Sequence, residues 1–139
     1  MFIPMTTQST TSLSSKIQVL LVEDNDINRL LMCDYLRYHG YHVVSLVDGE
    51  DFFETLDCVQ PNIILLDLKL RETSGFHLLK KLQDHPIFQK IPVIVVSGLA
   101  FQKDKKRAFD LGARQYLVKP INLNELHNLI QEEVLRSRS

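Results

Sequence analysis

Five short apolar runs, spaced by stretches of helical pattern, limit what this chain can fold into more than any other feature. They are IQVLLV (17–22), YHVVSL (41–46), NIILLD (62–67), PVIVVS (92–97) and QYLV (115–118). The first, third and fourth are nearly continuous apolar runs, the pattern of parallel strands covered on both faces. Between them the spacing predicts helices. Residues 26–39 carry Ile27, Leu30, Leu31, Tyr35 and Leu36 as the expected buried face, closed by Gly40. A weaker helix is expected over 50–59, and a third over about 74–84, with Ser74 as N-cap and Phe76, Leu79 and Leu82 on one face. A fourth, over about 101–111, is the least amphipathic and stops at Gly112. The last, about 123–135, opens on Asn122 and Glu125 at capping-box spacing and carries the stripe Leu126, Leu129, Ile130 and Val134. Strand and helix thus alternate five times, which argues an α/β class fold: a doubly wound, three-layer sandwich on a parallel sheet.

The rest of the 139 residues adds little that is foldable. Residues 1–15 are rich in Ser and Thr and are expected to form a flexible arm; 16–136 form one domain, and 137–139 a short tail. The arm lacks the basic and apolar regions of a signal peptide, and no apolar run approaches the length of a membrane span. A formal net charge of −1 gives no electrostatic case for binding nucleic acid or anionic membrane. Cys33 and Cys58, with no CxxC pattern, are expected to be reduced and packed, and a cytoplasmic location follows.

In an open parallel sheet, ligands bind at the carboxyl ends of the strands. Those ends carry Glu23 and Asp24 after the first strand, Asp67 on the third, Ser97 on the fourth and Lys119 after the fifth. Taken singly, each has an ordinary reading as a cap, a turn residue or a solvated loop charge. Together they make a chemical set. Crowded carboxylates repel unless a cation sits among them, and hard oxygen donors suit Mg²⁺. A lysine and a hydroxyl can hold phosphoryl oxygens, and a carboxylate can accept the phosphoryl group itself.

The ordered set LLVEDN, IILLDLKL…SG, IVVSG and GARQYLVKP resembles the receiver domain of two-component response regulators over residues 16–136. The resemblance implies a five-stranded parallel sheet of order 2-1-3-4-5, flavodoxin-like. It implies Asp67 as phosphoacceptor, Asp24 as direct Mg²⁺ ligand, Glu23 as a ligand through water, and the main-chain carbonyl of Lys69 as the third protein ligand. Ser97 matches the switch hydroxyl, Lys119 the phosphate-binding lysine and Tyr116 the switch aromatic, with a cis Lys119–Pro120 bond. It further implies a phosphorylation-driven switch rather than an enzyme acting on a separate substrate. The phosphodonor is then a sensor histidine kinase or a histidine phosphotransfer protein.

Two positions depart from the family pattern. Arg71 stands where a proline is usual, so a more mobile loop is expected, while Gly75 keeps the family glycine. Lys69 places a cation near the expected phosphoryl group, where it could crowd the attacking water or simply point to solvent. Arg114 and Gln115 stand where the winged-helix branch has acidic dimerisation residues, so a monomer or weak dimer is expected. The opening of the first helix, NDINRLL, resembles receivers of multistep phosphorelays and would put Asn28 and Arg29 beside a docking histidine helix. With no output domain after the fifth helix, the signal is expected to pass by protein contact, as a phosphoryl shuttle or as an allosteric effector.

A rival of another class starts from Asp24-x-Asp26, close to the DxDx[TV] of haloacid-dehalogenase-type phosphatases, with Asp24 as nucleophile. It needs a further acidic pair after Lys119, where only helical glutamates such as Glu125, Glu132 and Glu133 follow, and it leaves Asp67 unexplained. A flavin or nucleotide binder of the same fold would need a phosphate-cradling loop after the first strand, where acids stand instead.

Overall fold

A computed structural model describes residues 17–138; the arm expected over 1–15 lies outside them. Five strands, β1 (Gln18–Val22), β2 (His42–Leu46), β3 (Ile63–Leu66), β4 (Val93–Ser97) and β5 (Gln115–Val118), alternate with five helices. The helices are α1 (Asp26–Tyr38), α2 (Phe52–Val59), α3 (Gly75–Asp84), α4 (Gln102–Asp110) and α5 (Leu123–Ser137). The sheet is entirely parallel, in the order β2-β1-β3-β4-β5. Both the class and the strand order expected are observed.

The register brings the strand ends together. Val22 pairs with Leu66, so Glu23 and Asp67 emerge side by side. Ser97 pairs with Val118, so Lys119 follows directly. The ladder extends past the strands proper, with the Asp67 N–H donating to the Val22 carbonyl at 3.1 Å and the Lys119 N–H to the Ser97 carbonyl at 2.9 Å.

The sheet separates two hydrophobic cores. One, built on Val19, Leu21, Ile63, Leu65, Ile94 and Val96, is closed by α1 and α5. The other, built on Leu20, Val22, Ile64, Leu66, Val93 and Val95, is closed by α2, α3 and α4. Strands covered on both sides need apolar residues at consecutive positions, which is why the runs do not alternate.

Several local expectations hold at the level of single bonds. The Ser74 hydroxyl accepts from the Phe76 N–H at 3.2 Å, and Asn122 Oδ1 from the Glu125 N–H at 3.1 Å. Gly40 and Gly112 take positive φ, 91° and 100°, just past the ends of α1 and α4. The Lys119–Pro120 bond is cis.

The expected buried face of α1 is corrected in part. Leu36 is fully buried and Tyr35 packs against the core as expected, but Ile27, Leu30 and Leu31 are 70%, 60% and 55% exposed, and Leu36 shares its buried face with Met32 and Cys33. At 100° per residue these two sets fall on opposite sides of the helix. Both are apolar, so periodicity alone could not say which one meets the sheet. The packing expected of both cysteines is also corrected in part: both are free thiols, but only Cys33 is buried, while Cys58 is exposed.

Candidate phosphoryl-transfer site

Asp67 sits one residue past β3 and is only 5% exposed. Burying a carboxylate is expensive without partners, and it has two. Its Oδ2 accepts from Lys119 Nζ at 2.8 Å and its Oδ1 from the Lys69 N–H at 3.1 Å. Lys119 also reaches Glu23 Oε1 at 2.6 Å, so one ammonium bridges two buried acids from adjacent strands. Burial opposes the charge on Lys119, but its hydrogen bonds to Asp67 and Glu23 outweigh that and raise its pKa. Burial pushes Glu23 up as well, against the pull of Lys119 and of the Asn25 N–H, which donates to Glu23 Oε2 at 3.0 Å.

Glu23, Asp24 and Asp67 each offer a carboxylate oxygen, and all three oxygens lie within 4.8 Å of one another. One lysine for three acids leaves a net negative pocket of hard oxygen donors, which fits a divalent cation such as Mg²⁺. Arginines hold the main chain of the same loop. Arg29 Nη1 donates to the Glu23 carbonyl at 2.9 Å while pairing with Asp26 at 2.6 Å, and Arg71 Nη2 donates to the Asp24 carbonyl at 3.0 Å. The Arg71 bond ties the loop after β3 to the loop after β1. Nothing in the sequence pattern announces it, because the two residues lie far apart in the chain.

Gly75 has a direct steric reason. A Cβ there would stand 2.4 Å from the Asp67 carbonyl oxygen and 2.5 Å from Leu68 Cα, both main-chain atoms. The first turn of α3 can approach the Asp67 segment only without a side chain, and the Gly75 N–H donates to the Leu68 carbonyl at 2.8 Å.

Ser97 is fully buried at the end of β4, its Oγ accepting from the Leu99 N–H at 3.3 Å. The half-buried Tyr116 donates its hydroxyl to the Leu99 carbonyl at 2.7 Å, and burial raises its pKa. The loop after β4 therefore links the serine to the tyrosine. Lys69 is exposed.

Some polar clusters had no sequence signal. Glu133 of α5 is fully buried and accepts from Gln115 at 2.9 Å, Arg136 at 3.2 Å and Arg114 at 3.4 Å. His39 and His127 stack at 4.6 Å between α1 and α5, and Tyr41 Oη lies 2.9 Å from His127 Nδ1.

A family model described as the response regulator receiver domain matches residues 19–131. This chain belongs to that family. It is therefore a receiver domain of two-component signalling. It is 35% identical over 106 residues to the gliding motility regulatory protein of Myxococcus xanthus, covering 76% of this chain but 14% of that one. It is 33% identical over 105 residues to the polar-differentiation response regulator DivK of Brucella anthropi, covering 76% and 85% of the two chains. Among solved structures, the receiver domain of the sensor histidine kinase PA1611 from Pseudomonas aeruginosa superposes with a TM-score of 0.77 at 27% identity, covering 85% of this chain and 97% of that one. That domain holds a magnesium ion in its active site cleft.

The phosphatase rival finds no support. After Lys119, Glu125 and Glu132 are exposed and Glu133 is spent on Arg114, Gln115 and Arg136. None joins the acid cluster found among the described residues. No helix among those residues is long and apolar enough to cross a membrane.

Proposed function

We propose that this receiver domain accepts a phosphoryl group onto Asp67 from a partner's phosphohistidine. The observation that carries the reading is Asp67 itself, nearly buried, bonded to Lys119 at 2.8 Å, within 4.8 Å of two further carboxylates. An Asp67 carboxylate oxygen attacks phosphorus, a P–O bond forms, and the P–N bond breaks with its electron pair leaving on the imidazole nitrogen. Asp24, Asp67 and the Lys69 carbonyl, helped by Glu23 through water, would hold Mg²⁺, whose charge would neutralise the phosphoryl oxygens.

The chain's own residues do the rest. Lys119 holds the Asp67 carboxylate beforehand and turns to a phosphoryl oxygen as charge develops there. Ser97 leaves the Leu99 N–H for another phosphoryl oxygen. That shift moves the loop whose carbonyl holds Tyr116, and the ring turns inward as the second position of a two-state element. The domain catalyses only its own phosphorylation and dephosphorylation, and Lys69 slows the latter by crowding the attacking water.

The donor side is α1. Its half-exposed Leu31 lines a cleft of about 410 Å³ together with Asn28, Met32, Lys119 and Pro120, and Ile27 and Leu30 are exposed on the same helix. Exposed aliphatic residues grouped beside an active site suit an amphipathic helix, here the histidine-bearing helix of a kinase or phosphotransfer protein. Arg114 and Gln115 are committed to Glu133 within the chain, which supports a monomer or weak dimer.

The test is to treat the protein with Mg²⁺ and acetyl phosphate and locate the modified residue by mass spectrometry. Modification at Asp67, lost in Asp67→Asn, is the expected result. Multiple-turnover phosphatase activity lost in Asp24→Asn and kept in Asp67→Asn would sink the proposal. A shorter phosphoryl lifetime in Lys69→Ala is required for its assigned role; an unchanged or longer one removes it.

A further inference from the structure

We propose that the groove between α3 and α4 is a docking site for an acidic peptide segment of a protein partner. The groove has a volume of about 580 Å³. Lys80 lines it from α3, and Lys103, Lys106 and Arg107 line it from α4, four permanent cations facing the single carboxylate Asp110. In a chain with net charge −1 this is a local excess of positive charge.

These cations are available. Lys106 pairs with Asp110 at 2.8 Å and Lys80 with Asp84 at 3.4 Å, both exposed pairs within one helix. Such pairs contribute little and exchange partners readily. Lys103 and Arg107 lie over rings instead, Lys103 6.0 Å from the Phe101 centroid and Arg107 4.1 Å from that of Phe76. Among the described residues neither joins an ion pair.

The class of anion follows from the walls and floor. Nucleic acid gains affinity by stacking bases on open aromatic faces. Phe76 is only 7% exposed, with Arg107 over its ring, so the groove floor offers no such face. What the floor does offer is aliphatic surface from Leu111. Carboxylates flanking an apolar side chain match this arrangement, with the cations supplying complementary charge on both walls.

The groove is also placed to feel the switch. Of α4 only Ala108 is buried, so the helix is lightly held. Phe109, next along it, lies 6.4 Å from the Tyr116 ring. A peptide spanning α3 and α4 favours one placement of α4, and phosphorylation and peptide affinity then change one another by the same factor. This coupling rests on the phosphoacceptor role of Asp67; the binding does not.

The test uses a fluorescein-labelled peptide of alternating Glu and Leu, followed by anisotropy and by amide shifts of the full chain. Saturable binding with shifts on α3 and α4 is expected. Lys103→Glu, which touches no buried group, should weaken it about fivefold, and Lys103→Glu with Arg107→Glu by at least about tenfold. Lys81→Glu, which does not line the groove, should leave affinity within about twofold. Beryllofluoride with Mg²⁺ should change the affinity. A matched Gln and Leu peptide binding equally well, a single-stranded oligonucleotide binding more tightly, or shifts lying elsewhere would each overturn the docking site. Unchanged affinity despite beryllofluoride shifts around Asp67 overturns the coupling, whereas absence of those shifts counts against the phosphoacceptor reading instead.

Discussion

Asp24→Asn is expected to make the metal-free protein more stable and to remove its response to Mg²⁺. Asp24 has one near neighbour of its own sign in Glu23 and another in Asp67, with oxygens within 4.8 Å. Lys119 contacts both of those and not Asp24, so the remaining group carries one net negative charge. A unit charge at that separation repels Asp24 by about 1 kcal/mol at the dielectric of water and about 3.5 kcal/mol at an effective dielectric of ~20. Asp24 is half-buried, between these limits. Neutralising it therefore stabilises the metal-free fold by about 2 kcal/mol, roughly 8 °C in melting temperature for a domain of this size. The assay is thermal unfolding followed by circular dichroism, in EDTA and in Mg²⁺, at fixed ionic strength. The wild type should gain stability with Mg²⁺ as RT ln(1 + [Mg²⁺]/Kd), and the variant should not. An Asp24→Asn protein that melts at or below the wild type in EDTA would refute the repulsion. One that keeps the full Mg²⁺ increment would refute Asp24 as a ligand.

Gly75→Ala drives a Cβ into the main chain of Asp67 and Leu68 and should cost about 1–3 kcal/mol, read as a lower urea midpoint at unchanged slope. His127 has a pKa lowered by burial and then by the nearby His39, so its contribution is present above the unfolded value near 6.5 and is lost as pH falls through the lower folded value. Stability measured from pH 8 down to pH 5 should therefore fall less steeply in His127→Gln. Replacing Glu133 by Gln removes a fully buried charge held by Arg114 and Arg136 but keeps its shape, and Arg114→Ala should then destabilise the variant less than the wild type, a coupling of about 1 kcal/mol in a double-mutant cycle. Arg71→Ala cuts the tie to the Asp24 carbonyl; amide exchange should speed up in both the loop after β1 and the loop after β3, and exchange altered in only one of them contradicts a shared tether.

Most of the fold was legible because a doubly wound sheet writes itself as uninterrupted apolar runs; the strand ends Val22, Leu46, Ser97 and Val118 could be read off, and the third strand stops at Leu66, one residue before the expected Asp67. The site was legible for the same reason: register converts the residue after each run into a neighbour of the others. Periodicity succeeded on α1 only at Leu36 and Tyr35; Ile27, Leu30 and Leu31 carry the same signal as the buried Met32 and Cys33, which it passed over. The contacts Arg71–Asp24, His39–His127 and Arg114–Glu133 left no trace either. Each joins side chains from separate elements at distances set by the folded backbone, and neither residue type nor spacing encodes such a meeting.

The division of the interior by the sheet has a consequence for how such a molecule can change over generations. The surface proposed to receive the donor rests on the core beneath α1 and α5, while Tyr116 and α4 rest on the other. The two sides meet at the thin rim of Asp67, Ser97 and Lys119. Substitutions that retune donor choice are absorbed on one side of a wall of strands, and those that retune the listener on the other. Lineages can therefore rewire one connection at a time, provided the rim is left alone.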